Sequence, residues 1–194
     1  MADKKQLWIL AGGNGAGKST YYRCFLQDSG LAFINADLIA QQIDPDNAEA
    51  QSYQAAAIAT KLRTSFLQKG ISFCFETVFS HPSKIDFVAE AKSLGYEIIL
   101  VYVHLQTSEL NLARISQRVS EGGHSVPDEK VLARIPRTMQ NVRETLPLVD
   151  IAYLYDNSSQ QHAFVSLARI QHGSLQCIQP SLPEWAEQML VDYR

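Results

Sequence analysis

The run Leu7-Trp8-Ile9-Leu10-Ala11-Gly12-Gly13-Asn14-Gly15-Ala16-Gly17-Lys18-Ser19-Thr20 decides how this chain folds. Its five apolar residues read as a buried strand, and the glycine-rich turn after them opens a helix on Lys-Ser, which is the arrangement of a Walker A phosphate loop. A polyphosphate has to be approached by bare backbone. Gly12, Gly13, Gly15 and Gly17, with Asn14 and Ala16 between them, let consecutive N–H groups converge on a β-phosphate at a helix N-terminus. Lys18 is placed to reach the β- and γ-phosphates and the Ser19 hydroxyl to take one coordination position of magnesium. Thr20, the next hydroxyl, is expected to help hold the loop. The spacing is not that of a dinucleotide fingerprint, and a lysine occupies the turn. The stretch therefore predicts a site for a nucleoside triphosphate, read as ATP with Mg²⁺.

Composition bounds the rest. With 194 residues, 46% hydrophobic and 19% charged, the chain can bury one substantial core, and no Pro/Gly/Ser-rich stretch divides it, so residues 1–194 are expected to form a single domain. A formal net charge of −3 offers no global attraction to nucleic acid or to an acidic membrane surface. The three cysteines, Cys24, Cys74 and Cys177, are odd in number and lack metal-ligand spacing, which fits a reducing compartment. Cys74 lies in an apolar run and reads as core. Met-Ala-Asp-Lys-Lys at the start carries no apolar signal region, and no run approaches a membrane span, so a cytoplasmic protein with no membrane partner is expected.

Apolar β-type runs fall at 6–11, 31–36, 71–79, 97–105, 151–155, 163–170 and 174–178. Helical patterns fall at about 18–28, 47–69, 83–94, 108–121, 128–148 and 183–192. Strand alternating with helix predicts an α/β fold, a three-layer P-loop NTPase or kinase domain with a mainly parallel sheet. The last two runs, joined by His172-Gly173-Ser174, read as a small antiparallel hairpin at the sheet edge. In 128–148, Val131, Ile135, Met139, Val142 and Leu146 form a stripe facing the body, with Pro136 expected to kink the helix. Lys130, Arg134, Arg137 and Asn141 form a separate polar stripe.

In parallel sheets ligands sit beyond the carboxyl ends of the strands. Asp37 closes the run Phe33-Ile34-Asn35-Ala36-Asp37, and Glu76 closes Phe73-Cys74-Phe75-Glu76. Phosphoryl transfer to an alcohol needs a carboxylate at the attacking hydroxyl and acids that hold the magnesium waters, and these two residues can divide those duties. As a plain structural residue, Asp37 would cap a helix beginning at Leu38. Between Arg114 and Pro127 one helix ends at Gly122-Gly123 and the next begins at Pro127, so a short connection separates two arginine-bearing helices. Such a segment, about 108–148, suits a lid over the phosphates. Arg118, Arg134 and Arg137 are its candidate cations, with Arg114 one turn before Arg118. His124 in the glycine turn reads as a loop-bracing residue, and the stretch Tyr153–Ser158 as a border to the adenine. Lys18, Asp37, Arg118 and Arg134 are thus the candidate catalytic residues, and Asp37, Glu76, Thr77 and Arg137 the candidate acceptor-binding ones. The chain has no apolar run ending in Asp-Glu, no Asn-Lys-x-Asp and no Leu-Ser-Gly-Gly, which leaves a small kinase as the best fit among Walker A proteins.

Several of these motifs recur in order in one family. Gly12–Thr20, Asn35-Ala36-Asp37, Glu76-Thr77-Val78-Phe79-Ser80, Arg118-Val119 with Gly122-Gly123-His124 and Val126-Pro127, and Asp156-Asn157-Ser158 resemble the short bacterial zeta-toxin-like P-loop kinases over about residues 7–158. The resemblance implies ATP-dependent phosphorylation of a hydroxyl on UDP-N-acetylglucosamine and a possible protein antitoxin. It matches Asp37 to the catalytic base, Glu76 to an acid at the sugar-nucleotide site and Lys18 to the phosphate-loop lysine. Arg118 fits the family's first arginine and Arg134 or Arg137 its second, while Val78 stands where the toxins carry a threonine. Two other functions use the same loop: a nucleotide-gated interaction protein of a toxin–antitoxin pair, and a nucleic-acid 5′-end kinase, against which the acidic charge balance argues.

Overall fold

A seven-stranded sheet carries the phosphate-loop strand at its centre. The computed structural model describes residues 4–123 and 125–193, so His124 lies outside the described residues. Strand β1 (Gln6–Ala11) lies between β3 (Phe73–Thr77) and β4 (Glu97–His104). Outward from these, β2 (Ala32–Ile34) pairs with β3, and β5 (Ile151–Asp156), β6 (Val165–Gln171) and β7 (Ser174–Cys177) follow β4. The first five strands are parallel, and β6 and β7 are antiparallel. His172 and Gly173, both at positive φ (48° and 80°), make the two-residue turn of the edge hairpin.

The central strands are apolar on both faces because the sheet is covered on both. Leu7, Ile9, Ile98, Leu100 and Tyr102 alternate onto one face, where they meet Ala59 and Leu67 of α3 (Ser52–Lys69), Val88 of α4 (Ser83–Ser93), Val142 of α6 (Asp128–Thr145) and Trp185 of α7 (Glu184–Met189). Leu10, Cys74, Val101 and Val103 face the other way, toward Tyr21 and Leu26. There α1 (Lys18–Tyr21) continues as a π-type turn, Tyr22–Leu26, and a 3₁₀ turn, Gln27–Ser29, so the expected helix 18–28 is a continuous helical path with three hydrogen-bond patterns. Leu110 of α5 (Ser108–Ser120) packs on the same face.

Residues Ala36–Ile43 form α2, a helix that hydrophobic periodicity leaves unassigned, and the expected helix at 47–69 begins only at Ser52. The cause of α2 is a cap: Asn35 Oδ1 accepts from the N–H groups of Asp37 (2.7 Å) and Leu38 (3.2 Å). The capping role therefore falls to Asn35 and not to Asp37. Helix α6 runs on through Pro136 to Thr145. Among the described residues no helix is long and apolar enough to cross a membrane.

His104, at the end of β4, is 6% exposed, and its ring lies against Trp185, centroids 4.6 Å apart and planes tilted by 50°. Burial pushes its pKa down to about 4, against an opposing pull from Asp156. In the unfolded chain the imidazole protonates near its ordinary 6.5. The unfolded state then binds more protons than the folded one, so this contribution to stability is present above pH 6.5 and lost as pH falls toward 4. The loss at low pH is on the order of 3 kcal/mol. Denaturant melts of wild type and His104→Gln between pH 7 and 4 should show a shallower decline in the variant.

Candidate active site

The carboxyl ends of the parallel strands open into a cleft of about 1210 Å³. Its floor is the turn from Gly12 to Ser19. Gly17 has φ 99°, in a region side chains rarely occupy, and a Cβ there would press on the Asn157 amide. Gly12 passes so close to the Val103 carbonyl that a Cβ would collide with it. The turn closes on itself through Ala16 N–H to Gly13 O (3.2 Å), and α1 starts with Tyr21 N–H donating to Gly17 O (2.9 Å).

Lys18 is 6% exposed, donates from Nζ to the Gly13 carbonyl at 2.9 Å and stands 3.7 Å from Glu76 Oε1. Burial pulls its ammonium below the ordinary lysine range, while the Glu76 and Asp37 carboxylates work the other way. A polyanion at the loop supplies the counter-charge that burial makes scarce. Glu76 is fixed by two donors to Oε2: the Ser19 hydroxyl at 2.7 Å and the Asn35 amide at 2.6 Å. The side chain read as an acid at the acceptor thus reaches across to the residue read as the magnesium ligand. Asp37, in the first turn of α2, is exposed and lines the same cleft. Among the described residues nothing donates to its carboxylate, which leaves it open to accept a proton or a hydrogen bond from a ligand. Thr20 is exposed at the rim, where Arg23 reaches its hydroxyl at 3.4 Å.

Thr77 lines the cleft, but its hydroxyl accepts the Phe79 N–H at 3.0 Å and so holds Phe79 in a left-handed conformation, φ 63°. Helix α6 braces the same loop. Thr138 donates to the Val78 carbonyl (2.8 Å) and Asn141 to the Phe79 carbonyl (2.9 Å). Asn141, read as a member of the polar stripe, is therefore buried under the loop after β3.

Arg114, Arg118, Lys130 and Arg134 all line the cleft. Arg134 donates to Asn14 Oδ1 at 3.4 Å and Arg114 to the Asn157 carbonyl at 2.7 Å. Arg137 differs. It is exposed and lies outside the cleft wall, because α6 turns Thr138 and Asn141 inward at that level.

Two asparagines hold the phosphate loop in shape, one of which, Asn111, no residue pattern singles out. Asn111 of α5 donates to the Asn14 carbonyl at 2.6 Å. Asn157, just after β5, donates to the Ala16 carbonyl at 2.9 Å and accepts the Phe164 N–H at 3.1 Å. Asn157 lies within the stretch read as an adenine border, and with Gln160, Ala163 and Phe164 it lines the cleft beside the loop. Asn157→Ala strands a buried carbonyl and a backbone N–H, so it should cost about 1–3 kcal/mol of stability. It should also weaken nucleotide binding, as chemical denaturation and fluorescent-nucleotide titration would read.

A β2-β3-β1-β4-β5 parallel core with a glycine-rich turn between β1 and α1 defines the P-loop kinase fold. The zeta toxin family model matches residues 2–164, and the chain belongs to the zeta toxin family. An uncharacterized protein of Haemophilus influenzae is 36% identical over 138 residues, 68% of this chain and 98% of that one. The crystal structure of AvrRxo1-ORF1:AvrRxo1-ORF2 with sulphate ions superposes with a TM-score of 0.74 at 16% identity, covering 97% of this chain. This chain spans 64% of that one, and the same pair has also been crystallised with ATP. The PezAT chromosomal toxin–antitoxin system of Streptococcus pneumoniae matches with a TM-score of 0.64 at 16% identity, over 99% of this chain and 85% of that one.

Proposed function

We infer that the protein is an ATP- and magnesium-dependent kinase that transfers the γ-phosphoryl group to a hydroxyl of a small molecule, with UDP-N-acetylglucosamine the first acceptor to test. One observation carries this reading: a complete phosphate loop and an uncommitted carboxylate, Asp37, face the same cleft. Loop amides and Lys18 hold the β- and γ-phosphates, and the 157–164 segment borders the base. Asp37 orients the acceptor hydroxyl and takes its proton, which is worth about 10²–10⁴-fold in rate.

Magnesium prefers oxygen ligands and keeps several of its own waters, so it needs one or two protein groups beside the phosphates rather than a cage. The Ser19 hydroxyl and Glu76 carboxylate, 2.7 Å apart, fit that requirement. Held by Ser19 and Glu76, the ion would offset the charge on the phosphate groups. Arg118 and Arg134, with Arg114 beside them, neutralise the transferring group from the segment 108–148, which acts as a lid on a single kinase domain. Arg137 has no part in this arrangement, and Thr77 acts by shaping the loop beside Glu76.

A protein antitoxin belongs to the reading as well, since PezAT is a toxin–antitoxin system and AvrRxo1-ORF1 was crystallised with AvrRxo1-ORF2. The test is [γ-³²P]ATP turnover by purified protein with and without UDP-N-acetylglucosamine. Labelled sugar nucleotide supports kinase and acceptor together. ATP bound or hydrolysed without labelled sugar nucleotide rejects that acceptor, and no ATP binding or use rejects the kinase.

A further inference from the structure

Helix α6 borders a second cavity, of about 520 Å³, which is a volume typical of small-molecule sites. Its walls are His104 at the end of β4 with Leu105 after it, Ile135 and Met139 of α6, and Trp185 of α7. Glu184 and Gln188, both exposed, bond each other at 3.0 Å at its rim.

Two ring N–H groups at this cavity lack partners. Trp185 is 7% exposed, and its Nε1–H is buried and meets no acceptor among the described residues. His104 is bonded through Nδ1 to the Tyr102 hydroxyl at 2.9 Å, the one side-chain hydrogen bond of either residue among those described. Tyr102 is fully buried. Only a hydroxyl that donates to Nδ1 satisfies both groups, so Nε2 carries the imidazole proton. Packing of the two rings explains their burial, but it leaves both donors unmet at some cost.

The lining narrows what could meet them. Both donors are neutral, and among the described residues no lysine or arginine lines the cavity, while Glu184 stands at its rim. An anion would find no counter-charge there. The Trp185 and His104 rings and the Met139 thioether instead favour a planar ring, and the two N–H groups favour an acceptor oxygen on it.

Two walls of the cavity also touch the phosphate loop. Ile135 packs over Gly13, where a Cβ would meet its Cγ1 at 3.7 Å, and its neighbour Arg134 reaches Asn14. On the other wall the His104 carbonyl accepts the Asn157 N–H at 3.0 Å, and Gln106 N–H donates to the Ser158 hydroxyl at 2.8 Å. Asn157 in turn holds the Ala16 carbonyl.

We propose that this cavity is an effector site for an uncharged planar ring compound carrying a carbonyl oxygen, whose binding braces the phosphate loop and tightens nucleotide binding. This ligand is neither the nucleotide nor the acceptor, and its site uses none of the residues assigned to phosphoryl transfer.

The indole N–H resonances of ¹⁵N-labelled protein test it. Trp8, the only other tryptophan, donates from Nε1 to Gln6 at 3.1 Å and serves as the reference. The probes are benzamide, 2-pyridone and 2-quinolone, with benzoate as the anionic control. At least one probe should shift the Trp185 resonance saturably while Trp8 stays in place, and benzoate should not. Ser108→Phe, which adds a ring at the cavity from the first turn of α5, should remove the shift. Gln188→Phe at the exposed rim should do the same and serves if the first variant fails to fold. At saturating probe, AMP-PNP should bind about fivefold more tightly, and AMP-PNP should tighten the probe by the same factor. No saturable Trp185 shift with any probe, or a shift that the folded variants leave intact, overturns the site. AMP-PNP affinity that the probe leaves unchanged overturns its effector role. AMP-PNP that binds neither with nor without probe rejects the kinase reading instead, and the indole shift, read without nucleotide, still decides the site.

Discussion

Asp37→Asn is expected to leave ATP bound and to slow phosphoryl transfer by about 10²–10⁴-fold, the range that a positioned general base contributes. The amide is nearly isosteric with the carboxylate, so nothing in the local structure should move. The cap of α2 belongs to Asn35, whose Oδ1 accepts from the Asp37 and Leu38 N–H groups, and the Asp37 backbone donor is retained in the variant. Because no described residue donates to the Asp37 carboxylate, its replacement leaves no partner stranded, and the melting temperature should be unchanged. Single-turnover kinetics with [γ-³²P]ATP alongside a nucleotide-binding titration would separate the two effects. Wild-type transfer rates in Asp37→Asn would remove this residue from its role.

Lys18→Met should have the second large effect, and its two readouts should move in opposite directions. Phosphoryl transfer is expected to fall by about 10²–10³-fold, as when a single electrostatic contact to a developing charge is removed. Stability should hold or rise. The lysine is 6% exposed, its charged form is disfavoured by burial, and its carboxylate neighbour is 3.7 Å away, so the folded chain holds an ammonium at some cost. Methionine fills the same space without a charge. Glu76 keeps the Ser19 and Asn35 donors and is not left bare. A variant that loses turnover and also melts far below wild type would show instead that Lys18 serves the fold.

The parts of this molecule that the sequence makes legible are those in which one local rule acts alone. The alternation of Leu7, Ile9 and Leu10 across two buried faces, the glycine turn after Ala11 and the His172-Gly173 hairpin each follow from backbone sterics and burial, and each stands where the pattern places it. Helix α2 escaped because eight residues carry too few turns for periodicity to register, and its cause is one asparagine side chain bonding two N–H groups. The site shows the same division. Lys18, Ser19 and Asp37 follow strand ends and Glu76 lies in the last two residues of β3, so parallel topology brings them into one cleft. Asn111, Asn157, Thr138 and Asn141 act by bonding carbonyls 60 to 141 residues distant in sequence, and no spacing rule encodes such a partner. For the same reason Arg134 and Arg137 look equivalent on a helical stripe, and packing beneath the loop after β3 leaves only Arg134 at the cleft.

The measurement that tests the central claim most directly is incubation of the purified protein with [γ-³²P]ATP, magnesium and a small-molecule metabolite extract, with Asp37→Asn in parallel. The account predicts a new acid-stable phosphomonoester carrying the label, formed by wild type and absent with the variant. Label that stays in ATP or passes only to inorganic phosphate in both samples would contradict it.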